Sequence, residues 1–247
     1  MQNYENKSSA DTQLSDISPP PRSDILRLER ISLRYDRNSE IFTDLTWSLP
    51  PGRLCFLTGP SGIGKTSLLR LISLDQPPNR GHIFLFGQDV TQAPAIQVHD
   101  LQRRIGLVTQ DFNLIDDLNV FENIALPLRV TGARRDSYAS NVADLMNWVG
   151  LAPRMAAYPA TLSAGEKQRT AIARAIITRP KILLADEPTG NVDPEMAQRL
   201  LRLFVEMNRL GTTVIIATHN QDLLTQYDAD IFTIRDGQIL QTNEMSA

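Results

Sequence analysis

The chain has a single cysteine, Cys55, which excludes an internal disulfide, and its place in the apolar run RLCFLTG makes it a small core residue. No apolar stretch approaches the roughly 18 to 20 residues that a membrane-spanning helix needs. The opening MQNYENKSSADTQLSD has neither the basic nor the apolar region of a secretory signal, so a cytosolic protein is expected. Positive charge is not in surplus either. Lys and Arg number 25 against 28 Asp and Glu, and the formal net charge of −3 is a poor match to nucleic acid or an anionic membrane surface. Internal repeats are lacking. Residues 1–23 are polar and end in SPPPRS, and they are expected to form a disordered arm. What remains is ordinary for a globular protein: 247 residues, 42% hydrophobic, enough for one large domain with a satellite subdomain.

From Ile25 the pattern changes. ILRLERISLRY places Leu26, Leu28, Ile31, Leu33 and Tyr35 in a broken alternation, and IFTDLTWSLPPG follows a charged turn, so both read as strands of an antiparallel layer. RLCFLTG is a continuous apolar run ending in glycine, as a buried parallel strand would be, and KTSLLRLIS after it has helical spacing. GHIFLFGQDV predicts a strand closed by a glycine turn, and RRIGLVTQ another short strand. Between about Asn113 and Tyr158 the text turns helical: VFENIALPLRV, a turn at TGARRD, then SYASNVADLMNWVGL with Val142, Leu145, Met146 and Val149 on one face. Strand and helix then alternate through KILLADE, PEMAQRLLRLFVEMNRL, TTVIIATH and NQDLLTQY to paired strands in ADIFTIRDGQIL. Such alternation implies an α/β sheet covered by helices.

GPSGIGKT, Gly59 to Thr66, fits the phosphate-binding P-loop pattern, with an apolar strand before it and a helix after it. Its glycines let the backbone turn tightly and aim successive N–H groups at phosphate from a helix N-terminus. Lys65 adds a mobile charge, and the Thr66 hydroxyl can ligate Mg²⁺. In KILLADEP, four apolar residues bring Asp186 to a strand end, where a carboxylate can hold the metal. Glu187 follows immediately and suits polarising an attacking water as general base. Adjacent residues on a strand face opposite ways, so the two carboxylates are expected to point to opposite sides. A nucleoside triphosphate is therefore the expected ligand.

LSAGEKQR, Leu162 to Arg169, is harder to place. It contains no nucleophile paired with a base, no metal-ligand spacing and no basic patch. Ser163 offers a hydroxyl and the N-cap of a following helix, Glu166 completes a capping box, and Gly165 offers an approachable N–H.

With these residues in hand the sequence resembles the ATP-binding cassette (ABC) ATPases from about Ile25 onward. The resemblance implies a P-loop, RecA-like core with an antiparallel β subdomain and an inserted helical subdomain at about 113–178, inside one domain of residues 24–247. It implies that ATP is held by Tyr35, stacking on adenine, and by Gly59, Pro60, Ser61, Gly62, Ile63, Gly64, Lys65, Thr66 and Ser67. Mg²⁺ would be served by Thr66, Asp186 and Gln110, whose LVTQDF resembles the Q-loop. Glu187, Gln110 and His219, the last in IATHN and similar to the switch histidine, would be catalytic. LSAGE resembles the signature, and GNVD resembles the D-loop. In this family these close over the nucleotide of a second protomer in a head-to-tail homodimer, so Ser163, Ala164, Gly165, Glu166 and Asp193 would contact the partner's ATP. The signature departs from the usual pattern at Ala164, where a second glycine is common, and at Glu166, where glutamine is. The methyl narrows the approach of phosphate, and the carboxylate adds negative charge.

The chain shows no membrane span of its own, so the resemblance implies a separate membrane subunit that receives the force. A soluble ABC protein acting on DNA or ribosomes is disfavoured: there is no room for a long coiled coil between Gln110 and Leu162, only one cassette, and no basic surplus. A P-loop kinase or GTPase would leave LSAGE unexplained, and no Asn-Lys-x-Asp guanine motif occurs. Within the family, RRIGLVTQDFNLIDDLNVFENIALPLRVTG and GTTVIIATH lean toward the cell-division (FtsE-like) group. That group implies an FtsX-like integral membrane partner, contact with the division machinery, control of peptidoglycan hydrolysis, and a peripheral place on the cytoplasmic face of the bacterial inner membrane. The alternative is the ATPase of a lipoprotein-releasing (LolD-like) or export transporter.

Overall fold

The computed structural model describes residues 24–36, 39–220, 224 and 226–242. The expected N-terminal arm and half of the residues of the helix expected over NQDLLTQY lie outside them. Strand β1 (Leu26–Asp36) is flanked by β2 (Ser39–Leu49) and β4 (Arg80–Leu85), and β5 (Gln88–Asp89) completes an antiparallel sheet of order β2-β1-β4-β5. The broken alternation of β1 has a local cause. Arg30 takes a φ of 50° and the register to β2 shifts between Leu28 and Ile31, so one extra residue re-phases the strand. Leu26, Leu28, Ile31 and Leu33 consequently all face the core.

The second sheet has the order β10-β9-β3-β8-β7-β6, built from β3 (Leu54–Thr58), β6 (Ile105–Val108), β7 (Ile182–Asp186), β8 (Thr213–Ala217), β9 (Asp230–Arg235) and β10 (Gln238–Gln241). Its pairings are parallel except for the β9–β10 hairpin. Every residue of β7 and β8 is buried, which explains their unbroken apolar text. Cys55 is fully buried in β3, and desolvation pushes its thiol pKa far above the ordinary value, so it is inert core.

Six α-helices occur among the described residues: α1 (Lys65–Ile72), α2 (Ala95–Gln102), α3 (Val120–Val130), α4 (Arg135–Trp148), α5 (Ala164–Ile176) and α6 (Pro194–Arg209). Helix α2 was not expected, because it starts after Pro94 and buries only Leu101, leaving no apolar stripe to read. Helix α3 begins at a capping box of Asn119 and Glu122, and α4 begins inside the expected turn, at Arg135. Val142, Met146 and Val149 meet Val120, Ile124 and Ala173 in a cluster of their own, between β6 and β7 in the chain. No helix among the described residues is long and apolar enough to cross a membrane.

The parallel strands deliver the chemistry. The segments after β3, β6, β7 and β8 leave from the carboxyl ends of neighbouring strands, where an open α/β sheet places its ligand crevice.

Candidate nucleotide site

The loop from β3 to α1 turns through glycines with positive φ at Gly59, Gly62 and Gly64. At Gly64 the requirement is also spatial: a Cβ there would approach Ile41 Cγ2 to 2.5 Å and Phe42 Cζ to 3.0 Å. Gly64 is the N-cap of α1, and with no side-chain cap and no acidic residue in the first turn the helix start is left for an anion. The Lys65 ammonium is drawn across the loop, donating to the Gly59 carbonyl at 2.7 Å and the Pro60 carbonyl at 3.1 Å. The Ile63 side chain is partly buried and packs against the hydrophobic core.

Tyr35, much of the loop between Ser61 and Ser67, Gln110, Asp186, Glu187 and His219 meet around one cleft of about 410 Å³. The Tyr35 ring is half-exposed, and its hydroxyl is held by Ser67 Oγ at 3.1 Å and Gln76 Oε1 at 2.8 Å. Thr66 Oγ1 donates to Asp186 Oδ2 at 2.6 Å. Asp186 is 5% exposed, and burial raises its carboxyl pKa above the ordinary range against the lowering effect of the Thr66 hydrogen bond.

Glu187 corrects the expectation that the two carboxylates face opposite ways, since both line the cleft. Strand β7 ends at Asp186, and Glu187 has a φ of 48°, so strand alternation no longer governs it. Its Oε1 accepts from the His219 N–H at 3.1 Å and lies 2.7 Å from His219 Nδ1, and its Oε2 accepts from Thr218 Oγ1 at 3.3 Å. Gln110 reaches the cleft from the end of β6, on a segment held by α5. The Arg174 guanidinium donates to the Phe112 and Asn113 carbonyls at 2.7 and 2.6 Å, where both residues have positive φ.

None of the signature residues lines this cleft. Ser163 is the exposed N-cap of α5, accepting from the Glu166 N–H at 3.2 Å, while Glu166 Oε2 accepts from the Ser163 N–H at 2.8 Å. The expected capping box is therefore formed. Glu166 Oε1 pairs with Arg154 Nε at 3.0 Å, and the Ser163 hydrogen bond, with help from Arg154, lowers its pKa. The carboxylate thus turns back onto its own chain. Ala164 opens the helix and is exposed, and Gly165 packs against Asn191. Asp193 caps α6 by accepting from the Met196 N–H at 2.9 Å. Two contributors escaped sequence reading, Gln76 and Gln168, because their partners are 41 and 19 residues away and no local spacing marks them.

Residues 42–190 match the ABC transporter family, and residues 156–225 match an AAA domain. The cell division ATP-binding protein FtsE of Escherichia coli (strain K12) is 40% identical over 215 residues, covering 87% of this chain and 97% of FtsE. The methionine import ATP-binding protein MetN of Mannheimia succiniciproducens is 36% identical over 226 residues, 90% of this chain and 66% of MetN. The dimeric post-hydrolysis structure of the ATP-binding cassette MJ0796 bound to ADP and Pi has a TM-score of 0.83 at 25% identity, covering 90% of this chain and all (100%) of that one. A second dimeric structure of MJ0796 has a TM-score of 0.82 at 27% identity and similar coverage. With a P-loop, a strand-end carboxylate and a capped signature helix set in that same fold, the chain belongs to the ABC transporter family and is one of its ATP-hydrolysing cassettes.

Proposed function

We propose that two copies of this chain pair head-to-tail on ATP, each signature closing over the nucleotide in the other's cleft, and that the closing motion drives a membrane subunit. The observation that carries this reading is the position of LSAGE: an exposed helix N-terminus with its serine in place, yet outside its own protomer's cleft. Such a group has N–H dipoles and a hydroxyl to offer an anion, and only a second copy brings one to it. That cassettes of the same fold have dimeric structures supports the pairing of two copies.

Within a site, the loop N–H groups and Lys65 hold the phosphates, and Tyr35 offers a face to adenine. Glu187 takes a proton from the attacking water, Gln110 and His219 position it, and Ser163, Ala164 and Gly165 of the second copy surround the γ-phosphate, beside Glu166 and Asp193. Thr66 and Asp186 fit Mg²⁺: two oxygen donors sit 2.6 Å apart, and the carboxylate is buried, so a cation would relieve its unfavourable charge. Among the described residues no cluster of three or more acidic, His or Cys side chains could hold a metal alone, consistent with an ion that takes its other ligands from phosphate and water. When bound, the ion neutralises charge on the β- and γ-phosphates.

For the driven partner, Ile115, Met155 and Tyr158 expose apolar surface at the start of α3, where the Val120 and Phe121 N–H groups bind the Ala157 and Met155 carbonyls. We assign this patch to an FtsX-like integral membrane protein, which places the ATPase peripherally on the cytoplasmic face of the inner membrane, coupled to peptidoglycan hydrolysis in division. The 40% identity to FtsE, over 97% of that protein, supports this reading. The methionine import relatives keep a transporter ATPase as the second reading; the sequence's own alternative within it is the lipoprotein-releasing or export type. The test is to trap the complex with Glu187→Gln and ATP in detergent-solubilised host membranes and identify what co-purifies. A small FtsX-like protein is expected; a transporter permease would replace the division reading and leave the chemistry intact.

A further inference from the structure

Gln168 lies in the second turn of α5 and is 2% exposed. A buried amide is costly unless both its ends are used. Here both are. Nε2 donates to the Glu187 carbonyl at 3.1 Å, and Oε1 accepts from the Asn191 N–H at 3.2 Å. One partner belongs to the residue that faces the attacking water, and the other to the loop that carries Asp193.

Two further observations give this tie weight. Glu187 holds a left-handed φ of 48°, a conformation that a residue with a side chain keeps only where its surroundings enforce it. The enforcing bonds are the Glu187 N–H to the Ala217 carbonyl at 2.9 Å, and Gln168 together with the Gly190 N–H, at 3.2 Å, on its carbonyl. Asn191 is gripped from its other side as well. A Cβ on Gly165 would lie 3.0 Å from the Asn191 carbonyl oxygen, so the signature glycine packs directly on that peptide.

We infer that Gln168 is a positioning residue for hydrolysis: its amide fastens the Glu187 backbone and the Asn191 peptide to the signature helix. Movement of the helix N-terminus therefore moves the general base of the same protomer. Resting on the head-to-tail reading, the tie makes α5 a link between the two sites, touching one nucleotide through Ser163 and setting Glu187 at the other. Gln168 itself is not among the residues that line the cleft.

Two substitutions break the tie differently. Gln168→Leu removes donor and acceptor. Gln168→Met keeps the length, with a thioether that accepts only weakly from Asn191 and no hydrogen for the Glu187 carbonyl. Thr170→Val is the control, since Thr170 is fully buried in the same helix and, among the described residues, its hydroxyl bonds only to the Glu166 carbonyl, at 2.7 Å. With the full chain, steady-state ATPase against ATP concentration, equilibrium binding of a fluorescent ATP analogue and thermal melting are measured for all three. Both Gln168 variants should lose about tenfold to a hundredfold in kcat, with KM and analogue affinity held within about threefold, and Thr170→Val should keep at least about half of its kcat. The Hill coefficient should fall toward about 1 in the Gln168 variants. A kcat loss no larger than that of Thr170→Val, or a loss confined to KM, overturns the positioning role. Non-cooperative hydrolysis by the unaltered chain instead overturns the link between sites, while the kcat comparison still decides whether Gln168 positions Glu187.

Discussion

Ser163 is assigned two tasks that use the same helix start, and substitution separates them. As a cap, its Oγ accepts from the Glu166 N–H at 3.2 Å, one half of a reciprocal box whose other half is the 2.8 Å bond from the Ser163 N–H to Glu166. Ser163→Ala removes the first half, which costs about 1 kcal/mol. In a chain of this size that lowers Tm by about 2–4 °C. Ser163→Asp restores a cap, because a carboxylate accepts the same N–H and favours the helix N-terminus, so its Tm should stay within about 1 °C of the parent. Toward the second copy's nucleotide the order reverses. A carboxylate about 4 Å from a γ-phosphate oxygen at an effective dielectric of about 20 is repelled by about 4 kcal/mol, which water and salt reduce. The ATP-dependent dimer should still weaken by at least about a hundredfold. In a Glu187→Gln background, melting curves and sedimentation velocity at several ATP concentrations read both effects. An aspartate variant that melts normally and still dimerises on ATP would refute contact between the signature and the γ-phosphate.

Asp186→Asn should abolish ATP hydrolysis yet raise the Tm of the nucleotide-free chain, because burial disfavours the native charge. The sign is fixed by linkage: with the folded pKa raised, the wild type is relatively most stable below the unfolded value and loses that contribution as pH rises through the folded one. The Tm gap between variant and wild type should therefore open toward neutral pH and close in acid, as calorimetry across pH would show. Tyr35→Phe loses the hydroxyl bonds to Ser67 and Gln76 but keeps the ring, and its KM for ATP should change less than about threefold, whereas Tyr35→Ala should raise it about tenfold in a coupled ATPase assay.

What could be read from the sequence was whatever is set locally. Gly59 to Thr66 announces its loop because the tight turn, the helix start and the cation all fall within eight positions, and the apolar runs of β3, β7 and β8 announce buried parallel strands. The break in β1 was visible as a pattern, but its cause, the extra residue at Arg30, needed the register. Helix α2 was illegible because it buries only Leu101. The relative direction of Asp186 and Glu187 was misjudged because a rule for strands was extended one residue past the strand. Gln168 stood beside the signature without signalling anything, since both its partners come from a loop brought in by the fold. Long-range polar ties of this kind have no period in the chain.

The most direct test of the central claim is the mass of the Glu187→Gln chain in solution, measured by sedimentation with and without ATP and Mg²⁺. Head-to-tail closure with hydrolysis blocked predicts a monomer that becomes a stable dimer only when nucleotide is added, and that fails to do so when Ser163→Asp is introduced as well. A chain that stays monomeric at saturating ATP and Mg²⁺ would contradict it.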